Sequence, residues 1–151
     1  MKTRFQEWKI QIEDSVVVVM ESFRQNAHSS KEAGGILLGE VYPELNKVVV
    51  SKITTPNSKD KRKRYGFVRA VFPAQVIIDY EYLNSGQRTI YLGEWHTHAE
   101  SKPTPSSRDR MMIKDQFENG QLTVEFLLLV IQGTSGRYVG AFQSGTLSPC
   151  T

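Results

Sequence analysis

Two histidines one residue apart stand in the stretch Gly93-Glu94-Trp95-His96-Thr97-His98, and seven residues further on comes Ser106-Ser107-Arg108-Asp109. Alternate side chains of a strand point to one side, so the imidazoles of His96 and His98 can reach a common point. Ser106 and Asp109, three apart at a helix start, share a face. Pro103 and Pro105 in the connector disfavour helix and hold the chain extended before it turns. Two histidines and a carboxylate meeting this way would leave a fourth position open, as in catalytic rather than structural zinc sites. Nitrogen and oxygen ligands without sulfur suit that ion.

Each piece also has a plainer meaning. His-x-His on a surface strand is usually two solvated histidines, and Ser106-x-x-Asp109 is equally a capping box at a helix N-terminus. Ser106 could cap and still present its hydroxyl. For Asp109 the two roles compete, because one carboxylate is not expected to serve both ends. Glu94 points the same way as the histidines and Glu100 lies close by, so both are rival carboxylates, Glu94 as a base or as a partner of the ligands. Trp95 points away, toward packing.

Taken together these positions resemble the JAMM (JAB, or MPN-plus) zinc metalloproteases, whose signature is His-x-His, seven residues, then Ser-x-x-Asp. The family also has an upstream glutamate in a Glu-x-x-Gly-apolar-apolar-apolar-Gly phrase. Glu32-Ala33-Gly34-Gly35-Ile36-Leu37-Leu38-Gly39 is similar to that phrase throughout. The resemblance implies one zinc ion held by His96, His98 and Asp109, Glu32 as general base, and Ser106 as donor to the oxyanion. It implies a mixed-sheet α/β fold of the JAMM/MPN (cytidine-deaminase-like) kind with flanking helices. Gly-Glu-Trp-His-Thr-His resembles more narrowly the compact prokaryotic branch, found beside ubiquitin-activating-like enzymes and in cyclic-oligonucleotide antiphage systems (CBASS). That implies a protein substrate with an extended C-terminal tail: a ubiquitin-like protein, or a conjugate of a CD-NTase nucleotidyltransferase, with E1/E2-like enzymes encoded nearby. Ala99 stands where many relatives have proline, which alters loop stiffness rather than ligation. A RadC-like member and a non-catalytic scaffold of the same fold are the alternatives, though every ligand position is kept here. A zinc deaminase is disfavoured by the lack of a Pro-Cys-x-x-Cys motif.

The elements needed to place these residues follow from periodicity. Phe5 to Ile12 alternates as one strand with an irregularity. Asp14 to near His28 reads as a helix despite four consecutive valines, with capping chemistry in Glu13-Asp14-Ser15. Gly34–Tyr42 and Lys47–Thr54 form a hairpin, and Thr55–Arg64 a loop. Phe72–Leu83 is a helix with Val76, Ile77, Tyr80 and Leu83 at helical spacing. Thr89–His98 is a strand, Ser106–Phe117 a helix, and Thr123–Gln132 with Arg137–Phe142 a closing hairpin. The expectation is one mixed α/β domain over residues 1–151.

The chain has 151 residues, 39% hydrophobic and 23% charged, which is enough for a core without staples. The lone Cys150 excludes a disulfide framework and zinc sites built on several cysteines. Its role is open between a reactive tail thiol and an ordinary exposed one. No apolar run is long enough for a membrane span and the N-terminus lacks a signal-peptide core, so a cytoplasmic protein is expected. The net charge of +3 is mild, and no nucleic-acid motif accompanies it. It is concentrated in Lys59, Lys61, Arg62, Lys63 and Arg64, interrupted by Asp60. Within that run Lys61, Arg62, Lys63 and Arg64 are candidate substrate contacts, against a solvated loop.

Overall fold

A computed structural model describes residues 1–120, 122 and 124–151. In chain order the elements are β1 (Lys2–Phe5), β2 (Trp8–Ile12), α1 (Asp14–Ser22), β3 (Gly34–Tyr42), a 3-10 turn (Pro43–Leu45), β4 (Lys47–Ile53), β5 (Lys61–Lys63), β6 (Gly66–Val68), α2 (Val71–Asn84), β7 (Ile90–Thr97), α3 (Ser107–Asn119), β8 (Leu127–Gln132), β9 (Arg137–Gln143) and β10 (Thr146–Pro149). Eight strands form one mixed sheet in the order β1-β2-β4-β3-β7-β8-β9-β10, and β5 pairs with β6 in a separate small hairpin. Two neighbouring pairs, β2 with β4 and β7 with β8, are parallel.

The strands bury both faces, so their side chains divide by alternation. Leu37, Val48, Val50, Trp95, Leu128 and Val130 join Val16 and Met20 of α1 on one side. On the other side Leu127, Leu129 and Ile131 pack on Ile113 of α3. Ile36 and Leu38 on that side pack on Ala74 and Ile78 of α2. The mixed α/β architecture expected from the periodicity is present.

Several details differ from the sequence reading. The first strand is a hairpin, since Gln6 turns the chain with φ of 51° and Phe5 faces Trp8. The irregularity in the alternation, the three-residue step from Phe5 to Trp8, is this turn. Helix α1 takes the four valines but ends at Ser22, and its N-cap Glu13 makes no side-chain cap bond. In α2 the spaced residues Val76, Ile77, Tyr80 and Leu83 are exposed, and Ala74 is the one buried position. That helix is apolar around its whole circumference, so periodicity chose the wrong face. β10 was not foreseen; the turn into it uses Ser144 and Gly145, both with positive φ. Thr123, the expected start of the penultimate strand, lies outside the described residues. Cys150 is half-buried, and burial pushes its thiol up to about 11, which keeps it protonated and a poor nucleophile.

Candidate active site

Strand β7 delivers the histidines as alternation requires. Trp95 turns to the α1 side, 1% exposed, and donates from Nε1 to the Thr54 carbonyl at 2.8 Å. His96 and His98 turn to the other side and are both buried. Gly34 of β3 stands opposite His96. A Cβ on it would come within 2.5 Å of the Trp95 carbonyl and 2.7 Å of the Phe67 ring, so the strands pack this closely here only with glycine.

Helix α3 brings the carboxylate. Ser106 is its N-cap: Asp109 N–H donates to Ser106 Oγ at 3.2 Å, and Ser106 N–H donates to Asp109 Oδ2 at 2.7 Å. The same carboxylate faces both imidazoles, with Oδ1 2.9 Å from His96 Nε2 and Oδ2 3.1 Å from His98 Nε2. Capping and ligand geometry therefore coexist, against the expectation that Asp109 must choose. A carboxylate has about four lone-pair sites, enough for one backbone donor and two imidazoles. Burial alone would raise the Asp109 pKa, but the hydrogen bonds from His96 and His98 outweigh it and hold the group well below the usual carboxylate range. For His98, burial opposes the cation and the Asp109 carboxylate overcomes it, so its pKa rises.

The three donor atoms fit a metal ion. Two ring nitrogens on one tetrahedral ion at ordinary zinc–nitrogen lengths lie about 3.4 Å apart; His96 Nε2 and His98 Nε2 are 3.3 Å apart. His96, His98 and Asp109 form the one three-residue group of this kind among the described residues.

Glu32 reaches the site from the segment before β3. Its N–H donates to the Lys63 carbonyl at 2.7 Å, and its own carbonyl accepts from Arg62 Nε at 2.8 Å. Next to it, Ala33 exchanges two hydrogen bonds with Thr97, the residue between the histidines. The Glu32 side chain is 7% exposed, and no hydrogen-bond partner for its carboxylate occurs among the described residues. Burial raises its pKa to about 7, tempered by His96 and His98 and reinforced by Asp109.

Of the rival carboxylates, Glu94 is engaged elsewhere. It receives Arg69 Nη2 at 2.7 Å, Arg69 Nε at 2.9 Å and the Tyr91 hydroxyl at 2.7 Å. Glu100 sits 3.6 Å from His98 Nδ1, too far for a hydrogen bond. Part of the supposed basic loop is strand β5. Within it Arg62 turns to Glu32, while Arg64 donates to the carbonyls of Ala27 and His28. Lys61 and Lys63 are exposed, with no ion pair among the described residues.

Sequence reasoning missed the supports: the partly buried Arg69 and Tyr91, and the buried Gln25 amide, which accepts from Thr97 Oγ1 at 2.9 Å and donates to the Arg64 carbonyl at 2.9 Å. Nothing in their spacing distinguishes them. Arg69 meets Glu94 because the segment between β6 and α2 folds against β7, and Tyr91, on β7 itself, reaches the same side through the irregularity opposite Leu37 and Leu38.

Fold and site together define a JAB-type hydrolytic metallopeptidase. The chain belongs to the prokaryotic homologues of the JAB domain, which it matches over residues 17–143. It is 40% identical over 94 residues, 60% of this chain and 58% of the other, to a CD-NTase/cGAS isopeptidase of Pseudomonas aeruginosa. It is 33% identical over 129 residues, 85% of this chain and 79% of the other, to a CD-NTase/cGAS isopeptidase of Escherichia coli. The chain thus spans 58% of the first relative's length and 79% of the second's. The solution structure of a Desulfitobacterium hafniense protein shares the fold, with TM-score 0.64 and 16% identity over 93% of this chain and 88% of that one. Among the described residues no helix is long and apolar enough to cross a membrane.

Proposed function

We propose that this chain is a zinc-dependent isopeptidase that acts as one catalytic domain in the cytoplasm. Its substrate is a protein with an extended C-terminal tail, either a CD-NTase conjugate of the CBASS type or a ubiquitin-like conjugate. The observation that carries the reading is the convergence of both Asp109 oxygens on the Nε2 atoms of His96 and His98, beside a buried carboxylate, Glu32, that has no hydrogen-bond partner among the described residues. The names of the similar isopeptidases support the substrate class.

His96, His98 and Asp109 would hold the zinc. When bound, zinc supplies Lewis acidity and makes water a nucleophile near neutral pH. Glu32 takes the proton of the attacking water and returns it to the leaving amine. A base poised near 7 matches that task. Arg62 and the Lys63 carbonyl hold the Glu32 backbone in place. Ser106 keeps its oxygen set by the Asp109 N–H and offers its hydroxyl proton to the developing oxyanion. Lys61 and Lys63, exposed beside Glu32, contact the substrate, with Arg62 and Arg64 shaping that edge. E1/E2-like enzymes would make the conjugates that this chain removes.

The test is cleavage of a CD-NTase carrying a protein fused through its C-terminal tail. Release of the fused protein that stops on chelation and returns with zinc is the expected result. An intact fusion in the presence of zinc would contradict the reading.

A further inference from the structure

The outer sheet face carries a row of like charges across three adjacent strands. Arg4 of β1 stands opposite Lys9 of β2, and Lys9 opposite Lys47 of β4. Residues directly opposite point to one side, about 5 Å apart between strands, so three cations lie side by side. Lys2, two positions from Arg4, adds a fourth on the same side. Together they line an open groove of about 490 Å³ with Gln11, Leu45 and the terminal residue Thr151, whose α-carboxylate is the one acidic group among the lining residues; no Asp or Glu lines it. None of the four takes part in an ion pair among the described residues, whereas Lys52, Arg69 and Arg88 are all paired. Like charges directly opposite in a sheet repel, so the row is held at a cost to the strands that carry it.

From this row we infer that the groove is a docking site for a carboxylate-rich surface on the folded body of the protein substrate. The inference rests on the isopeptidase reading above. Three of the four cations are lysines on strands, and the registered pairing engages the strand backbones. With Arg4 as its one guanidinium, the groove lacks the set of forks that suits a discrete phosphate. Exposed point charges in a row suit a surface of carboxylates. Its location suits the same partner that feeds a tail to the metal centre. β3 runs from Gly34, opposite His96, to Tyr42, opposite Lys47, on one side of the sheet. At strand rise that separation is about 27 Å. Helix α2 covers Ile36 and Leu38 between the two places, and a folded body of 100 residues spans about 30 Å, so one partner lying alongside α2 can reach both.

The experiment uses metal-loaded protein and the Lys9→Glu variant, with Lys47→Gln as a second, milder change. Three probes are compared: a dodecaglutamate peptide, the CD-NTase fusion, and a short peptide of the fusion's tail. Lys9→Glu should weaken dodecaglutamate binding and raise KM for the fusion, each by about tenfold, with kcat and short-peptide turnover unchanged. Binding of dodecaglutamate to the wild-type chain should fall steeply with salt. The variant should also melt at a higher temperature, because the substitution turns two repulsive pairs into attractive ones. Dodecaglutamate affinity equal to wild type in both variants would overturn the assignment. If the wild-type chain cleaves neither fusion nor peptide, the isopeptidase reading fails, and the dodecaglutamate titration still decides the groove.

Discussion

Arg62 donates from Nε to the backbone carbonyl of Glu32 at 2.8 Å, so a side chain from the most basic stretch of the sequence holds the segment that carries the base. A guanidinium in that role acts through geometry. Arg62→Ala should therefore lower kcat by about tenfold to a hundredfold, because small misplacement of a catalytic group is costly. Zinc content and KM should stay near wild type. Steady-state kinetics with metal analysis checks this; a change confined to KM would show that Arg62 binds substrate instead.

Glu32→Gln separates chemistry from folding. Loss of the base should reduce turnover by about 10²- to 10⁴-fold while zinc stays bound. The metal-free protein should become more stable at neutral and higher pH. Burial raises the Glu32 pKa from 4.5 to about 7, so the unfolded chain ionises first as pH rises. The folded state thus loses relative stability between those values, up to about 3 kcal/mol by linkage. The substitution removes that loss. Thermal melts of metal-free protein across this range read it directly, and parallel curves for the two proteins would contradict it.

The site was legible in the sequence wherever chemistry and spacing coincide. His96 and His98 share a side because a strand alternates, and Ser106 and Asp109 share a helix start because three residues make nearly a turn. Glu32 was legible only through its glycine-rich phrase. The supports were not. Glu94 reads as a spare carboxylate until Arg69 arrives from 25 residues away. The α2 stripe reads as core because a helix apolar all round has no preferred face in sequence. The hairpin at Gln6 shows in sequence only as one irregularity, the three-residue step from Phe5 to Trp8, which a turn this tight places opposite each other.

The Arg69–Glu94 pair has a testable energetic signature. Both side chains are largely out of solvent. Glu94→Ala leaves the guanidinium buried without its partner and should cost about 3–5 kcal/mol. Replacing both by apolar residues, Arg69→Met with Glu94→Leu, should recover most of that. Chemical denaturation of the single and double variants checks it; a double variant as unstable as the single would contradict the pairing.

Ser106 has two roles that substitution can part. Ser106→Gly keeps the N-cap within a few tenths of a kcal/mol, about the difference between these two caps. It removes the hydroxyl, and kcat should drop by about 10²- to 10³-fold, as for other oxyanion donors. Turnover near wild type in a well-folded Ser106→Gly protein would remove Ser106 from the mechanism.

Metal stoichiometry read together with cleavage tests the central claim most directly. Purified wild-type chain should hold about one zinc, as a three-ligand catalytic site does. It should release the protein fused to the CD-NTase tail, and Asp109→Asn should lose both properties together. Cleavage that persists in protein stripped of metal, or in Asp109→Asn, would contradict a catalytic centre at His96, His98 and Asp109.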